Sequence, residues 1–416
     1  MTHGARLVST RTATERRLLR DRSGAQRVTN IELFFDLVYV FAVTQLSHHL
    51  LQEPTVLGAA QSALLLAMVW QVWAYTTWVT NWLDPEQLQV RLLLVLLALL
   101  SLVMSAALPR GFGGLGWLVG GAYAVQQVGR ATFMVVALRG PLQRNFERIL
   151  AWSAVSAVFA VAGGLTDGLP RYLLWLAAVG FEVAGALTGF ATPWLGRSNT
   201  SDWTIEGGHF AERCQAFILI ALGESVVIIG ATMSGMRHVA ATAVAAFVVS
   251  FFGAVALWWL YFDRSADAAA EVIAASDDPG RLARTAYHFI HPAMVAGIIA
   301  AAAGDQKILT SPAATASAAS AWMILGGPAL FLAGHAAFKR VTWREVPWSR
   351  MAGVAVLALL ALAVPALPEI ALAACAAAVV IAVAAADRRS RPAPETLPLP
   401  PSAPARQGRY RGRPAP

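Results

Sequence analysis

Between Arg91 and Pro109 the chain reads LLLVLLALLSLVMSAAL (Leu92–Leu108), seventeen residues without a charge. With its flanking turn from residue 88, a helix here reaches about 30 Å at 1.5 Å per residue, the thickness of a bilayer's hydrocarbon core. A surface helix of a soluble domain carries a polar stripe, and this run has none. Similar runs recur near 31–50, 56–80, 88–108, 114–138, 148–167, 170–191, 210–231, 240–262, 285–303, 317–338, 350–366 and 369–386, about twelve in all. The expected fold is an all-α polytopic membrane protein with about twelve transmembrane helices. Pro365 and Pro368 leave a very short connection between the last two runs, for which a re-entrant pair is the competing reading.

The composition agrees. Of 416 residues, 57% are hydrophobic and 13% charged, where soluble domains run at about a quarter charged. A nucleic-acid-binding reading of the net charge of +8 is excluded, as are a disulfide scaffold and a disordered chain. Cys214 and Cys375 both fall in apolar runs and read as buried free thiols. Gly111-Phe-Gly-Gly-Leu-Gly116 spells a dinucleotide fingerprint, but a Pro-Arg turn precedes it and a membrane helix follows, so it lacks the βαβ context. Gly116/Gly120 and Gly185/Gly189 read as close helix packing. Trp70, Trp73, Trp78, Trp82, Trp258 and Trp259 are expected in the interfacial belt. No phosphate loop or cofactor motif is present, and no cofactor or metal is expected.

Five segments follow: an Arg-rich tail (1–26), a first six-helix unit (27–191), a linker (192–208), a second six-helix unit (209–386) and a Pro/Arg-rich tail expected to be disordered (387–416). The N-terminal tail lacks the short apolar stretch of a removable signal peptide. With alternating spans, about 27 basic residues fall on the side of the N-terminus and about 4 on the other, an asymmetry that places both termini in the cytoplasm. The expected location is a bacterial inner membrane, crossed several times, with the basic tails against anionic lipids. Homo-oligomers are possible partners in this reading, and nucleic acid is not.

Ionisable groups inside spans are costly and face the bundle interior, pair, or line a pathway. Glu32 and Asp36 share a face of span one by their i, i+4 spacing. Arg130 falls in span four and Glu182 near the middle of span six. Arg213 and Glu224 share a face of span seven about 16 Å apart. His288 and His291 are expected on one face at the start of span nine. These eight residues are the candidate pathway. The bland alternatives stand beside them: Arg130 as a packing ion pair with Asp36 or Glu182, Glu32 as a helix cap, and His48, His49 and His335 as interfacial groups.

The stretch Arg27-Val-Thr-Asn-Ile-Glu-Leu-Phe-Phe-Asp-Leu-Val-Tyr-Val-Phe-Ala-Val-Thr-Gln-Leu46 resembles the opening signature of the bacterial low temperature requirement protein A family. His209-Phe-Ala-Glu-Arg-Cys-Gln-Ala-Phe-Ile-Leu-Ile-Ala-Leu-Gly-Glu-Ser225 is similar to its second, and Trp-Trp-Leu-Tyr-Phe-Asp263 fits as well. The family name records a cold-growth phenotype rather than an activity. The two signatures also resemble each other: each has an Arg (Arg27, Arg213), an apolar helix with an acid (Asp36, Glu224), and then a Trp-rich helix ending at Asp84 or Asp263. Six spans between their starts imply parallel repeats. The Arg…Phe-Phe-Asp start is loosely similar to the Arg…Phe-Ser-Asp motif of lysosomal-type potassium and proton channels, departing from it at Phe35. The leading expectation is an ion or small-solute channel or transporter using buried acids. A membrane enzyme acting on lipid or isoprenoid, with Asp36, His291 and Glu224 as acid/base groups, and a non-catalytic stress-tolerance protein are the alternatives.

Overall fold

A computed structural model describes residues 18–20, 28–199, 207–263 and 265–389. Their regular structure is entirely helical apart from isolated bridges. The first six long helices are α1 (Asn30–Gln52), α2 (Val56–Trp82), α3 (Leu88–Ala107), α4 (Gly116–Ala137), α5 (Gly140–Leu165) and α6 (Leu169–Thr188). After the linker come α7 (Gly207–Ser234), α8 (Ala241–Phe262) and the short α9 (Ala266–Ala274). The chain closes with α10 (Pro279–Thr310), α11 (Ala318–Trp343), α12 (Trp348–Ala366) and α13 (Glu369–Arg389).

Among the described residues eleven helices are long and apolar enough to cross a membrane, which makes the protein an all-α polytopic membrane protein. α4, at 22 residues, has the length but carries Gln126, Gln127 and Arg130. All three are buried among neighbouring helices, so their polarity never meets lipid. The direction of α4 follows from contacts elsewhere. Arg213 of α7 bonds Asp36 of α1, and eleven residues on, Glu224 of α7 bonds Thr44, eight residues beyond Asp36. α1 and α7 therefore run parallel, which requires an even number of crossings between their starts and counts α4 among them.

Local chemistry sets the ends. Thr29 caps α1 in a box with Glu32. Gly189, at φ +68°, ends α6 in the left-handed conformation that a side chain disfavours. α6 thus stops at Thr188 rather than near residue 191, and Glu182 lies six residues from its end instead of at the middle. Gly120 meets α5 so closely that a Cβ there would stand 2.2 Å from the Ala160 carbonyl oxygen, which is the close packing expected of Gly116/Gly120.

Several expectations need correction. The last two spans are not a re-entrant pair. The α12–α13 turn is bonded to the α10–α11 turn through Ala316 N–H to the Leu367 carbonyl (3.1 Å) and Glu369 N–H to the Ala314 carbonyl (2.9 Å). Since α12 starts where α11 ends and finishes where α11 begins, it traverses the full thickness. α13 continues through Asp387 to Arg389, so the expected disordered tail does not begin at residue 387. Asp387 takes hydrogen bonds from Arg350 (2.9 and 2.9 Å) and Lys339 (3.1 and 3.2 Å), which anchors that end.

The tryptophans of α2 are not an interfacial belt: Trp70, Trp73 and Trp82 are buried, because α2 is surrounded by protein. Trp258 on α8 is 41% exposed, as a belt residue would be. Trp73 and Trp70 pack on Phe217 of α7 with ring centroids 4.7 and 5.1 Å apart, an aromatic seam between the two halves of the chain.

Candidate functional site

Besides the Arg350–Lys339–Asp387 anchor, buried ionisable groups occupy three candidate sites among the described residues, and the densest joins α1 to α7. Arg213 grips Asp36 with two parallel bonds, Nε to Oδ2 at 2.7 Å and Nη2 to Oδ1 at 2.6 Å. Its third nitrogen, Nη1, donates to Glu32 Oε1 (3.1 Å) and Thr80 Oγ1 (3.2 Å). The Trp73 indole donates to Asp36 Oδ1 at 2.7 Å. Glu32 also receives Arg20 Nη2 (2.7 Å) and the Thr29 amide (2.9 Å), while His209 Nε2 lies 2.9 Å from its Oε1. Glu32 is therefore the cap that the sequence suggested and an ion-pair partner too. Two carboxylates face two guanidiniums, all with 7% or less exposure of their side chains, so the cluster is charge-balanced and sealed. Such bidentate pairing holds geometry as well as charge.

The second site lies between α2, α4 and α6. Arg130 donates to Gln127 Oε1, to Thr76 Oγ1 (3.3 Å) and to the Val72 carbonyl (3.4 Å). Gln127 Nε2 then donates to Glu182 Oε1 at 3.0 Å. The expected direct ion pair of Arg130 with Asp36 or Glu182 does not form. Asp36 takes Arg213 as its counter-charge, and Gln127 stands between Arg130 and Glu182. The Arg130 guanidinium carbon also lies 5.3 Å from the centre of the Tyr75 ring, within cation–π range.

The third site is Glu224, only 1% exposed. Thr44 Oγ1 lies 2.6 Å from its Oε2, and its Oε1 has no hydrogen-bond partner among the described residues. Thr44 Oγ1 also lies 3.0 Å from the Val40 carbonyl. A hydroxyl has one hydrogen, and the carbonyl can only accept. If Thr44 gives its proton to Val40, the 2.6 Å contact requires a proton from Glu224 itself. The neutral acid satisfies both bonds and the carboxylate satisfies only one.

His288 and His291 do not share a face, contrary to the i, i+3 expectation. His288 lies within a π-helical turn, Arg284–Ile290, and His291 directly follows it; the wider winding turns His288 towards α2 and leaves His291 facing α8. His288 Nε2 lies 2.9 Å from Gln71 Oε1. His291 Nδ1 faces the Ala286 carbonyl at 3.0 Å and must donate to it, so Nε2 accepts from the Tyr261 hydroxyl at 2.8 Å. His291 is a satisfied core histidine. His335, expected at the interface, is fully buried beside Arg350.

Four participants escaped the sequence reading. His209 and Arg20 both reach Glu32, yet Arg20 sits in a tail read only for topology. Gln127, one turn from Arg130, carried a usable signal as a second polar group in the same span. Asp305 lies within α10 because that helix runs on to Thr310, past the expected limit of residue 303. With Ser225 and Ser250 it lines a cavity of about 40 Å³, room for a few waters. Among the described residues no three His, Cys, Asp or Glu side chains gather to hold a metal ion.

A helical membrane bundle whose two halves are joined by matched buried charges on parallel helices, with further acids such as Glu182 and Glu224 buried without an ion pair among the described residues, defines the class: a polytopic membrane protein with an ionisable interior. The chain belongs to the bacterial low temperature requirement A protein (LtrA) family, whose model matches residues 27–385. It is similar to an uncharacterized protein of Rhizobium meliloti (strain 1021), 38% identical over 330 residues that cover 78% of this chain and 80% of the relative. No solved structure matches the chain.

Proposed function

We propose that the protein moves protons or a small monovalent cation across a bacterial inner membrane, with Glu224 as the exchanging group. The observation that carries this reading is the bare Oε1 of Glu224, a buried carboxyl oxygen with no partner, on a side chain whose other oxygen is best satisfied when the acid is protonated. A group that gains and loses a proton during transport needs this freedom, which a carboxylate clamped by two cations lacks. Glu32 is clamped by Arg20 and Arg213 and Asp36 by two bonds from Arg213 and one from the Trp73 indole, and in this reading they and Arg213 hold the cytoplasmic ends of α1 and α7 closed. Arg130, Gln127 and Glu182 set the field nearby, and His288 is a polar neighbour on the same cytoplasmic half. The similar opening of the two signatures is consistent with two parallel six-helix repeats, in which the acids have diverged into a lock and a carrier.

The membrane-enzyme alternative asks Asp36 and Glu224 to act on one substrate. Thr44, which holds Glu224, lies eight residues or about 12 Å along α1 from Asp36, beyond the reach of paired acid–base work.

The test is flux through purified protein in liposomes, read with an internal pH dye under a potassium or sodium gradient. Wild-type protein is expected to dissipate the gradient faster than protein-free liposomes, and Glu224→Gln is expected to fall to the protein-free rate. Unchanged flux in folded Glu224→Gln, or no wild-type flux under either gradient, would overturn the proposal.

A further inference from the structure

A cavity of about 70 Å³, open at its mouth, lies near the basic face between α2, α4, α5 and α6 of the first half and α10 of the second. Its walls are mainly aromatic and aliphatic, among them Tyr75, Trp78, Trp82 and Phe190. Two guanidiniums, those of Arg130 and Arg284, also line it. Neither makes an ion pair among the described residues. Arg130 reaches Glu182 only through Gln127, and Asp278, the acid nearest Arg284 in sequence, lies 3.7 Å from Arg281. Arg284 places one nitrogen on the Ala186 carbonyl at 2.5 Å, while its Nε is buried with no partner.

Arg130 is buried and Arg284 half-buried, each with a carboxylate only at a distance (Glu182 and Asp278). Desolvating a cation without a contacting counter-charge is costly, as is leaving the Arg284 Nε unmatched. Both costs fall when an anion enters. The walls require the rest of the ligand to be apolar, since the aromatic surface leaves few hydrogen-bonding groups beyond the two arginines and His288. Its depth is also informative. Trp82 ends α2, Phe146 lies early in α5 and Gly280 starts α10, so the cavity opens at the level of one leaflet's headgroups. An anionic headgroup attached to an acyl chain meets all three conditions.

We propose that this cavity binds a single-chain anionic amphiphile, an acyl-chain carboxylate, with its head between Arg130 and Arg284 and its chain along Trp78, Trp82 and Phe190. The site bridges the two halves of the chain, and its occupant would tie α10 to α2 and α6. This stands independently of the transport reading, because it uses neither Glu224 nor flux.

The two tryptophans supply the readout. Purified protein in uncharged detergent is titrated with dibromostearate, whose bromines quench indole fluorescence at contact, and in parallel with its methyl ester. The expected result is a saturable component with the acid and none with the ester. Arg284→Gln should raise the half-saturating concentration about tenfold or more by removing a buried charge pair, whereas Arg284→Lys should retain much of the binding. Ala186→Phe, which keeps both cations but fills the apolar wall, should abolish the saturable component at an unchanged unfolding temperature. Equal saturation by the ester, unchanged affinity in Arg284→Gln, or undiminished binding in Ala186→Phe would each overturn the site. Displacement of the probe by inorganic phosphate alone would overturn the acyl-chain assignment in favour of a small-anion site.

Discussion

The bidentate grip of Arg213 on Asp36 is strong only as a pair. Both side chains are at most 1% exposed, so removing Arg213 strands Asp36 as an uncompensated buried charge, at a cost of about 3–5 kcal/mol, and removing Asp36 leaves Arg213 only its single bond to a carboxylate, that of Glu32. Asp36→Asn or Arg213→Gln alone should therefore lose most of the folded protein, measured as unfolding temperature and monodisperse yield in detergent. The double variant should recover a large part of the loss, since replacing both partners removes the stranded charge. Strictly additive losses would show that the pair does not act as a unit. Glu224→Gln behaves differently: the amide keeps a bond to Thr44 and strands no charge, so its unfolding temperature should stay near wild type. That contrast lets a flux defect at Glu224 be separated from misfolding.

At the scale of elements, the π turn in α10 has a specific chemical cause and support. Pro292 has no N–H, so the His288 carbonyl four residues earlier loses its helical partner. The Trp70 indole donates to that carbonyl at 2.8 Å and joins α2 to α10. Trp70→Phe should leave the carbonyl buried and unmatched, lowering stability by about 1–3 kcal/mol. Pro292→Ala in the same background restores a donor and should recover part of the loss; no recovery in thermal unfolding would sink this account. The same turn explains one limit of the sequence reading. Membrane spans were legible because apolar length reports them directly, and Leu92–Leu108 needs no context to be read. Facing directions were not, because the i, i+3 rule places His288 and His291 together only in an unbroken α-helix. The Trp-rich α2 was misread for a related reason: tryptophans at a lipid interface and tryptophans in a seam between halves have the same spacing. In the site, the acids were visible as isolated charges in apolar runs, but their partners lie up to 181 residues away in sequence, as Glu32 does from Arg213. Only packing reveals which cation each acid meets.

For the whole molecule, the parallel course of α1 and α7 constrains the topology more tightly than hydropathy alone. Glu32 and Asp36 meet Arg213 at one level, and Thr44 meets Glu224 at another, so α1 to α6 must contain an even number of crossings. That requires α4 to cross, although its Gln126, Gln127 and Arg130 keep it below the apolarity of the other spans. The proposal that the N-terminal side is cytoplasmic rests separately on the excess of Lys and Arg there. Cysteines introduced one at a time in exposed turns, in a background with Cys375 replaced by Ala and only the buried Cys214 kept, test both points with a membrane-impermeant maleimide. Gly114→Cys before α4 and His238→Cys before α8 should label on intact cells. Glu86→Cys before α3 and Arg144→Cys early in α5 should label only after permeabilisation. If Gly114→Cys and Arg144→Cys label from the same side, α4 does not cross and the even count fails. If all four patterns invert together, the count stands and the charge-based orientation is wrong. The crossing count and the orientation therefore fail separately, because one rests on hydrogen bonds between helices and the other on charges outside them.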